Sequence, residues 1–106
     1  MTNASIAIED DKLTRRSGPF HREEIGIHQL RRVVAINRDA LTHDEILVGL
    51  FDGDGRVVWL SEFDEGFADV LTTLARLLPG IGSLEGVTPT TPFESCEKTL
   101  WTANQR

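Results

Sequence analysis

EILVGLFDGDGRVVWLSEFDEGFADVLTTLARLLPG, residues 45–80, is the stretch whose periodicity decides the fold class. Ile46–Phe51 is a continuous apolar run of strand length, and Val57–Leu60 is another. Between them lies Asp52-Gly53-Asp54-Gly55, whose Asp-Gly pairs tolerate the positive φ of a tight hairpin turn. Alternation puts Ile46, Val48 and Leu50 on one face and Leu47 and Phe51 on the other. The second strand divides into Val57 and Trp59 against Val58 and Leu60. Both faces are apolar near the middle, so each side of this hairpin calls for a cover.

The residues that follow supply one cover. Phe67, Val70, Leu71, Leu74, Leu77 and Leu78 recur at helical spacing and form a single stripe. Asp64 is placed to cap the helix, Glu65 lies in the positive first turn, and Arg76 lies in the negative last turn. Pro79-Gly80 ends it. The spacing predicts one long amphipathic helix over 64–78, and the helix is core.

Outward from this centre, Ser17-Gly18-Pro19 is a turn signal. A short helical turn at His21–Ile25 is expected to lead into a strand, with Ile25, Ile27 and Leu30 as anchors. Leu30–Asn37 reads as a strand containing Val33, Val34, Ala35 and Ile36. Ala4–Ile8 can form a short strand, but Glu9–Lys12 and Arg15-Arg16 read as a polar tail or loop. The division expected is therefore a partly flexible segment, 1–16, and a single domain, 17–106. Ile81–Thr91, rich in Gly and Thr with Pro89 and Pro92 close by, reads as an extended loop. Phe93, Leu100 and Trp101 then anchor an extended C-terminal segment. That segment, or a second copy of the sheet in a homodimer, is expected to supply the second cover. The fold class is α+β: an antiparallel β-meander of four to five strands packed by one helix.

Composition bounds the function. The 106 residues are 40% hydrophobic and 26% charged, which suits one globular domain. The net charge is −6, and it is carried by the chain beyond residue 38. Such an acidic body does not suit a phosphate backbone or an anionic membrane surface, so nucleic acid and membrane are disfavoured as partners. The single cysteine, Cys96, allows no intrachain disulfide. With no basic leader and no long apolar span either, the expected compartment is the cytoplasm.

No motif for chemistry is found. A calcium loop beginning at Asp52 fails at its fifth and twelfth positions, Arg56 and Phe63. His21, His28 and His43 have neither the spacing nor the companion residues of a zinc site. Glu94 and Glu97 flank Cys96 and disfavour its thiolate, so it reads as structural. Asp52-Gly-Asp-Gly is glycine-rich but acidic and would repel a phosphate. The sequence predicts no enzyme, no cofactor and no metal.

Ile36-Asn-Arg-Asp-Ala-Leu-Thr-His-Asp-Glu-Ile-Leu-Val-Gly-Leu-Phe51, the Gly66-Phe67 pair, Pro92-Phe93 and Thr99-Leu-Trp101 together resemble a group of small, uncharacterised bacterial proteins. These share an Arg-Asp and Asp-x-Ile core and a Thr-Leu-Trp ending. The resemblance covers roughly residues 20–101 and departs where many members carry Trp at the place of Phe20 or His21. It implies a small antiparallel sheet with one long helix, as in pleckstrin-homology-like half-barrels, and transfers no catalytic residue.

Two readings of function stay open. In one, the chain is a non-enzymatic protein-interaction module, in its sharper form an immunity-type protein that binds a basic partner by charge complementarity. Asp52, Asp54, Glu62, Asp64 and Glu65 are then the candidate contact surface. In the other, the groove between sheet and helix takes a small molecule, or serves an unrecognised enzyme.

Overall fold

Asp52 closes the central hairpin. Its Oδ1 accepts the backbone N–H groups of Asp54 and Arg56, each at 2.9 Å. Gly55 supplies the left-handed turn residue at φ +89°. From this turn the two strands run back in register from Phe51↔Val57 to Leu47↔Ser61.

The computed structural model describes residues 4–39, 44–82 and 96–103. Its strands are β1 (Ser5–Glu9), β2 (Lys12–Arg16), β3 (Arg22–Gly26), β4 (Leu30–Asp39), β5 (Asp44–Asp52), β6 (Val57–Ser61) and β7 (Cys96–Thr102), with the helix α1 (Phe67–Leu77) between β6 and β7. They form two antiparallel sheets, ordered β1-β2-β3 and β6-β5-β4-β7. The α+β class and the meander are as the sequence predicts.

The strands beyond the expected four to five are β1, where Ala4–Ile8 can form a short strand, and β2, drawn from residues that read as tail or loop. Their turn explains the misreading. Asp10 and Asp11 both adopt positive φ, 52° and 61°, and Glu9 pairs directly with Lys12. This two-residue turn usually announces itself with glycine, and here two aspartates make it. The hairpin belongs to the core through Ile6 and Leu13. The helical turn also moves. Arg22–Gly26 is extended, and a single 3₁₀ turn follows at Ile27–Gln29.

The core lies between the two sheets and the helix. Val33, Ala35, Val48, Leu50, Val58 and Leu60 line the inner face of the larger sheet and meet Ile6, Leu13 and Ile25 from the smaller one. From α1 and its end come Val70, Leu74 and Leu78. Phe67, Leu71 and Leu77, the rest of the stripe, pack half-buried against this cluster. The helix begins later than the expected 64–78 because Gly66, at φ +93°, is its N-cap and no side chain caps it.

The outer face of the larger sheet is partly sealed by its own side chains. The Trp59 ring lies so close to Gly49 that an added Cβ would stand 2.6 Å from it. Phe51 meets Trp59 edge-on at 5.7 Å, and the Arg32 guanidinium stacks over Phe51 at 4.5 Å. β7 does not lie across this face. It pairs with β4 from Arg32↔Thr102 to Asn37↔Cys96 and lengthens the sheet. The loop expected at Ile81–Thr91 lies outside the described residues beyond Gly82, as does Phe93.

Candidate interaction surface

The junction between β6 and α1 is held by polar groups that meet across the fold. The Asp64 carboxylate accepts the Ser61 N–H at 2.9 Å and the Arg15 guanidinium at 3.1 and 3.5 Å. Its side chain is only 3% exposed. Arg15 also reaches Glu23 at 3.5 Å. The Ser61 hydroxyl donates to Glu45 at 2.7 Å, and the Glu62 carboxylate accepts the Ile46 N–H at 2.9 Å. The Glu65 backbone is hydrogen-bonded on both sides to β1, through Ala4 O and Ile6 N. Links to β1, β2 and β5 converge on residues 61–65, so the corner is fixed from several directions.

This arrangement sorts the five acids of the sequence. Asp52 is spent on its turn, and Asp54 beside it is exposed. Glu62 is half-buried, with one oxygen on Ile46, and Glu65 is exposed. Asp64 is buried, so it belongs to the foundation of the corner and not to its surface. Nor is it the helix cap: its carboxylate serves Ser61 and Arg15, while only its backbone oxygen accepts the Phe67 N–H. The accessible acids therefore form two spots at opposite ends of β6, about 17 Å apart at the rise of a five-residue strand.

Sequence reasoning passed over two aromatics. Phe63, flanked by Glu62 and Glu65, is 46% exposed, and Phe20, at the tip between β2 and β3, is 98% exposed. The signal for Phe20 was its place directly after Ser17-Gly18-Pro19, among charged residues. For Phe63 it was a place off the helical stripe. Of the histidines, His28 lies 3.1 Å from Asp11 and His21 lies 3.8 Å from Glu23. His43 and the Cys96 side chain lie outside the described residues. Among the described residues no three His, Cys, Asp or Glu side chains gather as metal ligands, and no helix is long and apolar enough to cross a membrane.

Surface depressions occur in two places on the smaller sheet. One, of about 330 Å³, lies over its outer face among Thr14, Arg16, Arg22 and Glu24. The other, of about 420 Å³, separates β3 from β6 and is lined by Arg22, Glu23, Glu24, Arg56, Val57 and Val58. Comparison with family models, curated proteins and solved structures finds no match to this chain.

Proposed function

We propose that this chain is a non-enzymatic protein-interaction module that uses the β6–α1 corner to bind a basic partner, as an immunity-type protein binds a basic toxin. The observation that carries the reading is Phe63, 46% exposed between Glu62 and Glu65. An accessible aromatic beside carboxylates, on a rigid foundation, has the make-up of an interface anchor: apolar area for affinity, charge for orientation and on-rate. On the other reading, a small molecule would use the depression of about 300 Å³ where the end of α1 meets the larger sheet, lined by Leu30, Leu77, Leu78 and Trp101.

The test is capture from a lysate of the source organism at low salt, followed by affinity measurement with the purified partner. A basic protein at one-to-one stoichiometry is expected, released at about 0.5 M salt, where the screening length falls to about 4 Å. Phe63→Ala should weaken its binding roughly tenfold or more. Glu65→Lys should slow its association and leave the thermal midpoint nearly unchanged. Recovery of the bait alone would defeat the reading, as would a partner indifferent to both substitutions.

A further inference from the structure

We propose that the groove between β3 and β6 receives an extended peptide, which enters as an added strand and sets a carboxylate against Arg56. The inference begins with the hydrogen-bond register. In the hairpin, Asp52 N donates to Arg56 O, and Glu62 N donates to Ile46 O. Antiparallel pairs alternate between bonded and non-bonded, so the even-numbered residues of β6 face β5. The N–H and C=O groups of Val57 and Trp59 point the other way, to the edge.

The same reasoning applies to β3. Ser17 N donates to His21 O and Ile27 N to Asp11 O, so the odd-numbered residues face β2. The backbone groups of Arg22 and Glu24 point to the edge. The two edges border one groove of about 420 Å³ without pairing across it.

The remaining edges are closed at intervals. β1 is bonded to Glu65, and β7 to Gly82 through Leu100 O. At Ser61, where β6 ends, the Asp64 carboxylate takes the N–H and the Asp64 N–H takes the carbonyl. Among the described residues, β3 and β6 each present a short run of edge donors and acceptors on the walls of one groove. A partner that pairs with the β6 wall must itself carry alternating N–H and C=O groups, which is the property of an extended polypeptide.

Charge narrows the occupant. Glu24 is held by Arg22 at 2.8 Å and lies 4.0 Å from Lys12, while Glu23 is shared by Arg15 and His21. Arg56 has no carboxylate partner among the described residues. Its Nη1 only donates to Glu24 O, at 3.4 Å across the groove. An incoming strand would compete for that carbonyl and free the guanidinium for an acidic side chain or a C-terminal carboxylate.

This inference rests on the interaction reading but on different residues, so the two can fail separately. The probe is a phage-displayed library of random dodecapeptides, selected on the immobilised full chain, with the enriched peptide then synthesised. Expected are peptides bearing Asp or Glu whose binding protects the Trp59 amide from hydrogen exchange at least tenfold. Val57→Pro deletes one edge donor at the first residue of an edge strand, where proline is tolerated; it should weaken binding at least tenfold. Arg56→Gln should weaken binding several-fold, and it guards against a Val57→Pro chain that fails to fold. Binding of the basic partner at the Phe63 corner should survive both changes. The proposal is overturned if no peptide is enriched or if the Trp59 amide is unaffected. It is equally overturned if the edge proves instead to pair with a second copy, seen as self-association that Val57→Pro abolishes.

Discussion

Asp64 concentrates at one position what sequence periodicity cannot convey. Read along the chain, an aspartate three residues before a helical stripe is a cap. In the fold, its oxygens are taken by Ser61 N and by Arg15, 49 residues earlier. The pair is nearly enclosed, with side chains 3% and 22% exposed, so removing one member strands the other and uncaps a strand end. Asp64→Ala should cost about 3 kcal/mol in urea-induced unfolding and speed exchange of the Ser61 amide. A change below about 1 kcal/mol would mean that solvent satisfies these groups after all. The backbone placed this carboxylate legibly, but its partner lies on a strand that the sequence had assigned to a loop.

Among the elements, the β5–β6 hairpin and α1 were legible because each has a strong local period and a turn or stop of recognisable chemistry. β1 was so only in part, and β2 was not. Their apolar positions are few, and charged residues alternate with them because the outer face of that sheet is wet. How the elements join is also hidden in composition, and Gly66 is the joint. Its φ of +93° and a Cβ position only 2.4 Å from Ile6 O bring the start of α1 against β1. Gly66→Ala must either relax the left-handed turn or push β1 aside. A loss of about 2 kcal/mol or more is expected, with the Ile6 and Glu65 amides losing exchange protection together. Loss of stability with those two amides still protected would place the strain elsewhere.

At the scale of the whole molecule, class and core were readable because burial follows apolar pattern, whereas the proposed contact surface was read from charge alone. Acidic residues cluster in the sequence at 52–65, but the fold spends Asp52, Glu62 and Asp64 on backbone N–H groups and divides the rest between two ends of a strand. The place of β7 bears also on the order of folding. Its partner β4 is distant in the chain, with Trp101 opposite Val33, whereas Phe51 and Val57 are joined by a single turn. The loop to be closed is about eleven times longer, which costs about 2 kcal/mol more in chain entropy. The β4–β5–β6 meander can therefore form early and serve as template, with β7 arriving last. Leu100→Ala, which empties a buried site of the final strand, should then raise the unfolding rate while leaving the refolding rate almost untouched, as stopped-flow chevrons would reveal. A refolding limb slowed by the same substitution would instead put the last strand in the nucleus.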